Sequence, residues 1–271
     1  MSKILEKIIY IRLLDHFTTN NLLSDKQFGF RKGLSTYMPI LLIQDLIATA
    51  FEANELIVGV FLDLKKAFDT VDHDILCQKL KKYGVKDNSH DIISSYLNSR
   101  MQTVSIRGSH ADFKRVNIGV PQGSILGPLL FIIYINDLSQ QQKGVDYFIY
   151  ADDTAVFFKH QDPNVLQCMV NAELLKISKW LQVNYLSLNV SKTFYQLYNN
   201  RKTNISINVE INNIAIESKD TIKYLGMLLN SNMKFNSHIN AITNTISRNL
   251  GMMCRVRPFV EDRQLLCLYN A

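Results

Sequence analysis

Ile4, Leu5, Ile8, Ile9, Leu13 and Leu14 recur at helical spacing and predict a helix over 3–17. A polar, glycine-bearing stretch at 24–36 reads as a loop, and helical spacing returns over 37–53. From Leu56 the chain is continuously apolar up to Asp63, which predicts a buried strand. Asp72 is a candidate cap for a helix near 73–83, and a short helix is expected over 89–98. Thr103–Arg107 and Phe113–Ile118 flank a Gly-Ser-His-Ala-Asp turn and predict a hairpin. Ser124 or Gly127 opens an apolar helix expected to run to about Leu138. Asp146–Ala151 and Thr154–Lys159 read as two strands joined by a very tight turn at Asp152-Asp153. An amphipathic helix over 163–183, short strands through 193–229 and a helix over 235–254 complete the pattern. No repeat or proline-rich linker marks a domain boundary.

The chain has 271 residues, 47% hydrophobic and 20% charged, with a formal net charge of +6. That suits one large domain or two modest ones and excludes a disordered chain. A mild basic excess fits a polyanionic partner, and equally fits many ordinary enzymes. Cys77, Cys168, Cys254 and Cys267 form no CxxC pair and share no zinc-ligand spacing with histidine. They read as reduced thiols of an intracellular protein. The longest apolar runs, such as Pro128 to Ile135, fall far short of the roughly 20 residues that span a bilayer. No membrane partner is expected, and the charged start Met-Ser-Lys-Ile-Leu-Glu-Lys does not read as a signal peptide.

The candidate chemistry rests on three acids. Asp63 ends an apolar strand, and Asp152 and Asp153 sit at the tip of an apolar hairpin. Phosphoryl transfer needs Mg²⁺ held by hard oxygen ligands. Two such ions roughly 3.5–4 Å apart stabilise both the attacking and the leaving oxygen. Paired acids flanked by Phe148, Ile149, Val156, Phe157 and Phe158 are badly placed for solvation alone, and a cation would offset their repulsion. Taken singly, each motif has a plainer reading: Asp-Asp as turn chemistry, Asp63 as a cap. Asp69, Asp72 and Asp74 read as caps and braces of the following helix.

In combination the picture changes. Asp63-x-x-x-x-Phe68-Asp69, Gly119-Val120-Pro121-Gln122-Gly123-Ser124 and Tyr150-Ala151-Asp152-Asp153 occur in that order. They resemble the A, B and C motifs of reverse transcriptases. The longer wordings FLDLKKAFDTVDHDIL and GVPQGSILGPLLFIIYINDL are similar to the non-LTR retrotransposon branch, near the jockey-like elements of animals. Gln27-Phe28-Gly29-Phe30-Arg31 looks like a fingers motif, Leu188 to Thr193 like motif D, and Tyr224-Leu225-Gly226 like motif E, the primer grip. The resemblance covers nearly the whole chain. It implies an α/β (α+β) right-hand polymerase, with partial fingers at 1–55 and the start of a thumb at 230–271. Between them, 56–229 would be a palm with a fingers insertion, built on a small antiparallel sheet backed by helices. The family's upstream Arg-Pro-Ile segment is missing and the last residues fall within the expected thumb, so truncation at both ends is expected.

The activity so implied is RNA-directed DNA polymerisation: dNTPs are added to a primer 3′ end by two-metal-ion nucleotidyl transfer. RNA template, DNA primer and dNTPs are the implied partners, and two Mg²⁺ ions the cofactor. By resemblance Asp63 and Asp152 are the main metal ligands, Asp153 supports them, and Lys192 gives a proton to the departing pyrophosphate. Backbone around Leu64, Lys65, Lys66 and Ala67 would hold triphosphate oxygens. Phe68 would gate against the ribose 2′-hydroxyl, with a core phenylalanine as the alternative. Gln122 and Gly123 would line the nucleotide pocket, Gly123 by permitting close approach, though a turn glycine is the bland alternative. Arg31 is either a bidentate phosphate ligand or a solvated loop charge. Tyr224, Leu225 and Gly226 would position the primer end, or Tyr224 is simply a buried strand residue. Lys79, Lys81, Lys82 and Lys86, and Arg248, Arg255, Arg257 and Arg263, would track a nucleic-acid backbone or form solvated faces; the second group is assigned to nucleic acid. Two rivals remain: an RNA-dependent RNA polymerase, against which Phe68 argues, and a non-catalytic remnant that at most binds nucleic acid.

Overall fold

Strand β1 (Leu56–Leu62) is buried at every position, as a strand covered on both faces must be. It is the middle of a five-stranded sheet, ordered β11-β8-β1-β7-β6. Its partners are β6 (Asp146–Tyr150), β7 (Asp153–His160), β8 (Phe194–Tyr198) and β11 (Glu217–Ser218). β1 runs antiparallel to β7 and β8, and β6 antiparallel to β7. The sheet expected to be antiparallel is mixed, because β11 pairs parallel with β8. Between them the chain crosses over through a hairpin of β9 (Glu210–Ile211) and β10 (Ile214–Ala215), and a crossover can return a strand in the same direction. The computed structural model describes residues 2–270 except 99, 107, 141–143 and 201–204.

Alternate residues of β1 serve opposite faces. Leu56, Val58, Val60 and Leu62 belong to the main core. That core also takes side chains from α1 (Ser2–Thr19), α3 (His73–Lys82), α4 (Asp87–Asn98), α5 (Gly127–Tyr134) and α6 (Pro163–Val183). Elsewhere in the sheet Phe61, Phe148 and Tyr198 surround Phe157 with ring contacts. Helix α2 (Tyr37–Glu52) packs against β1 and buries Ile40, Ile43, Ile47 and Ala50. Asp72 caps α3 as expected, its carboxylate accepting the Ile75 N–H at 2.9 Å.

The apolar helix is shorter than its sequence pattern suggests. α5 ends at Tyr134, where Asn136 N–H turns back to Ile133 O at 3.4 Å and the buried Lys79 ammonium satisfies the free Tyr134 carbonyl at 2.6 Å. The Asn136 amide then turns the chain by donating to Leu22 O and Tyr83 Oη. The expected hairpin is two short ladders, β2 (Met101–Gln102) with β5 (Lys114–Arg115) and β3 (Ser105–Ile106) with β4 (Ser109–His110). Arg107, placed on it from sequence, lies outside the described residues, as do 201–204 within the stretch expected to hold short strands.

The chain divides into two compact units, Met1–Lys219 and Asp220–Ala271. The second contains the hairpin β12 (Thr221–Tyr224) and β13 (Met227–Asn230), then α7 (Asn236–Val256) and α8 (Asp262–Asn270). Among the described residues no helix is long and apolar enough to cross a membrane.

Candidate active site

Sheet register brings the three acids to one end of the central strands. The β1–β7 ladder ends at the pair Leu62 and Thr154, so Asp63 leaves β1 where Asp153 enters β7. Tyr150 pairs with Asp153, leaving Ala151 and Asp152 as the two-residue turn. Ala151 adopts φ 56°, a left-handed conformation that glycine usually supplies at the first position of such turns. The Asp153 carboxyl is pushed above the usual carboxylate range, first by burial, then by the charge of Asp152, then by that of Asp63. Asp153 nevertheless keeps an exposed surface, where solvent softens the cost of burial. Among the described residues none of the three acids has an ion-pair partner. Their repulsion is therefore left for something other than a protein cation to offset.

Segment 187–189 braces this end of β1. Asn189 N–H donates to Asp63 O at 2.8 Å and Lys65 N–H to Ser187 O at 2.8 Å, with Leu64 bridged to Leu188. Asp63 N–H donates to the buried Thr193 hydroxyl at 3.4 Å, which itself donates to Asn189 O at 3.0 Å. Asp63 is thus gripped at both its amide and its carbonyl. Lys65 spends its N–H on Ser187, so its exposed ammonium rather than its amide is the group left for an anion. Lys66 turns the chain at φ 46° with its side chain exposed, while Leu64 and Ala67 are buried. Lys192 is exposed at the end of the same brace, in the single turn Val190–Lys192.

The turn after Asp63 carries Phe68, half-buried and stacked on Phe131 at 4.3 Å and 25°. Phe30 meets it edge-on at 6.3 Å and 87°. The loop 119–123 is pinned to that turn. Val120 N–H donates to Phe68 O at 2.8 Å, Gly119 N–H to Val71 O at 2.7 Å, and Gln122 Nε2 to Asp69 Oδ1 at 3.0 Å. At Gly119 the backbone itself packs closely, since a Cβ there would lie 2.7 Å from Asp69 O. Gly123 faces open space and is needed for its φ of 79°. Beside this loop a cavity of about 630 Å³ is lined by Arg100, Gln102, Arg115, Asn117 and Gln122.

The fingers-like segment closes the free edge of β6. Phe28 N–H donates to Ile149 O at 2.7 Å, and Ile149 N–H to Lys26 O at 2.9 Å. Arg31 is half-buried; its Nη1 donates to Ser24 O at 2.7 Å and Gln27 O at 3.1 Å. In the second unit, Leu225 at φ 46° and Gly226 at φ 84° turn β12 into β13, and Tyr224 is buried. Both central residues have positive φ, as a tight I′ hairpin requires.

Of the two basic groups, the first breaks up. Lys79 is buried: it pairs with Asp137 at 2.6 Å and lies over the Tyr134 and Trp180 rings at 5.0 and 4.8 Å. It is a core ion pair and not a nucleic-acid contact. Burial lowers its pKa first, and Asp137 opposes that shift. Lys81, Lys82 and Lys86 are exposed, as are Arg248, Arg255, Arg257 and Arg263 in the second unit. Sequence reasoning placed Thr193 in the motif D stretch and Phe131 in the apolar helix but gave neither a role in the site. Their partners lie far along the chain, so no local spacing betrays them.

Residues 1–229 match the family described as Reverse transcriptase (RNA-dependent DNA polymerase). The chain is 31% identical over 258 residues to a probable RNA-directed DNA polymerase from transposon BS of Drosophila melanogaster, covering 90% of this chain and 28% of that protein. It is 29% identical over 260 residues to the RNA-directed DNA polymerase from mobile element jockey of the same species, covering 93% and 28%. The chain thus spans under a third of the length of these relatives. Among solved structures, an apo telomerase from Candida tropicalis, truncated from its C-terminal domain, matches with a TM-score of 0.57 at 14% identity, over 85% of this chain and 44% of that one. A telomerase from Candida albicans in complex with a TWJ fragment of telomeric RNA matches with a TM-score of 0.56 at 16% identity, over 83% and 37%. These two likenesses show the fold alone.

Proposed function

The chain belongs to the reverse transcriptase (RNA-dependent DNA polymerase) family, and from that premise we propose that it adds deoxynucleotides to a primer 3′ end along an RNA template. Divalent-metal catalysis is what the family implies. The observation that carries the reading is the arrival of Asp63 beside the Asp152–Asp153 turn, with no protein cation paired to any of them among the described residues. No cluster of three or more His, Cys, Asp or Glu set for a metal is found among the described residues. Magnesium needs none, since one or two carboxylates with water and substrate phosphates suffice. Asp63 and Asp152 would hold it, with Asp153 in support. When bound, two Mg²⁺ ions would lower the pKa of the primer 3′-hydroxyl and neutralise the triphosphate.

The remaining roles follow from what each side chain touches. The Asn189 and Thr193 contacts fix the Asp63 backbone before any ligand arrives, so binding costs little reorganisation. The ammonium groups of Lys65 and Lys66 stand beside Asp63 in the chain, available to triphosphate oxygens together with the remaining Arg31 donors. Phe68 is immobilised by Phe131 and would exclude a ribose 2′-hydroxyl by its bulk. Gln122 and Gly123 would line the nucleotide pocket, and Lys192 would protonate the leaving pyrophosphate. Arg100 and Arg115 would receive template phosphates. In this reading 1–55 is part of the fingers, 56–229 the palm and 230–271 the start of the thumb, and Tyr224, Leu225 and Gly226 would meet the primer end. The names of the curated relatives favour a mobile-element origin.

The test is primer extension by the whole chain on a defined RNA template with Mg²⁺ and dNTPs. Extension is expected, and Asp152→Asn should lower it by on the order of 10³-fold. Salt-sensitive RNA binding without any extension would overturn the catalytic reading and favour a binding remnant.

A further inference from the structure

β6 is the outer strand of the sheet, so one row of its backbone groups must be satisfied from elsewhere. Residues 26–28 do this through the paired bonds to Ile149 and a parallel bridge between Gln27 and Ile149. Phe28 adds a ring stacked on Phe148 at 6.3 Å. Between these contacts Gln27 is 1% exposed, and its side chain points at the turn that follows β6. Its Oε1 accepts the Gly29 N–H at 2.9 Å and the Ala151 N–H at 3.2 Å. Both neighbours are donors, so the oxygen must face them. The amide nitrogen on the other side is buried without a hydrogen-bond partner among the described residues. A residue present only to fill space would not carry that unpaired N–H₂; the acceptor oxygen is the reason for glutamine here.

Ala151 is the residue this oxygen holds, and it is the strained one. It sits at φ 56°, directly before Asp152, in a conformation that non-glycine residues seldom adopt. Gly29 makes the approach possible: a Cβ there would lie 2.6 Å from the Ala151 nitrogen. The loop that presents Gln27 is itself anchored. Arg31 ties Ser24 O to Gln27 O, and Ser24 N–H donates to Asn136 Oδ1 at 2.8 Å.

We propose that Gln27 is a positioning residue, whose buried oxygen holds the left-handed turn that aims Asp152 and Asp153. The claim rests on the reading of that turn as the metal-binding end of the site. The fingers-like segment then buttresses the catalytic turn from the sheet edge.

Two variants and two readouts test it. Gln27→Met keeps the length and removes the acceptor; Gln27→Glu keeps the acceptor. In metal-free protein, amide hydrogen exchange at Ala151 should speed up by at least roughly tenfold in Gln27→Met and stay close to wild type in Gln27→Glu. In primer extension Gln27→Met should lose on the order of 10- to 100-fold in kcat, with the KM for dNTP within about twofold, because the acids are misaimed while nucleotide contacts remain. Unchanged Ala151 exchange in Gln27→Met overturns the proposal. If Gln27→Met does not fold, Gln27→Glu decides: retained protection supports the proposal and lost protection overturns it. Exchange needs neither metal nor turnover. An absence of polymerase activity in the wild type would therefore count against the proposed function while leaving the Gln27 contact measurable.

Discussion

Gly59 stands opposite Phe157 in the β1–β7 ladder, and Gly59→Ala measures how tightly the strands that carry Asp63 and Asp153 are held together. A Cβ at Gly59 would lie 2.7 Å from Phe157 Cε1 and 2.9 Å from Cζ, roughly 1 Å inside ordinary carbon contact. The ring has nowhere to retreat. Phe61 and Phe148 meet it edge-on at 5.8 and 5.6 Å, Tyr198 stacks on it at 6.2 Å, and Phe157 is 1% exposed. Overpacking of this kind costs about 1–3 kcal/mol, while replacing a strand glycine by alanine returns about 0.5–1 kcal/mol. The net expectation is a loss of about 1–2 kcal/mol. Guanidinium unfolding followed by the fluorescence of Trp180, the single tryptophan, reports on this unit. On a Phe157→Leu background the slot is open, so the same substitution should be neutral or stabilising, giving a coupling of about 1–3 kcal/mol. Equal cost of Gly59→Ala on both backgrounds would refute the steric argument.

Phe68→Val should reduce discrimination between dNTP and rNTP in single-nucleotide incorporation and lower stability by about 1 kcal/mol through loss of the Phe131 stack; unchanged discrimination rejects the gate and leaves a core role. Mg²⁺ should raise the thermal midpoint of the wild type by a few degrees and leave Asp152→Asn unmoved, while the metal-free variant should melt no lower than wild type because a like charge is gone. An equal Mg²⁺ response of both proteins would argue against metal binding at the turn. Lys79→Ala should cost about 2–3 kcal/mol, toward the lower end for a broken buried pair since Asp137 is partly exposed and can rehydrate. Lys79→Met, which keeps the stem against Trp180, should cost less. Both are read by the same denaturation assay, and a neutral Lys79→Ala would place that ammonium back on the surface.

Much of the element order is legible along the chain, because helix and strand periodicities are local properties. The α6 pattern over 163–183, the β1 run and the Asp72 cap all follow from residues within a few positions of one another. The end of α5 is not legible: Asn136 turns the chain through bonds to Leu22 and Tyr83, and nothing near Asn136 announces those distant partners. Lys79 itself reads as one of a run of surface lysines until α3 folds against α5 and buries it. The parallel β11 was hidden for a similar reason, since strand direction depends on where a connection returns and not on the residues of the strand.

Three acids in fixed order, with the wording around them, were enough to identify the family, since motif spelling survives without coordinates. Tertiary structure alone decided how those acids are aimed. Ladder register sets Asp63 beside Asp153, Thr193 and Asn189 grip the Asp63 backbone, and Gln27 holds the turn before Asp152. Hydrogen bonds between residues more than a hundred positions apart have no signature in local spacing, because either partner by itself is an ordinary loop polar group.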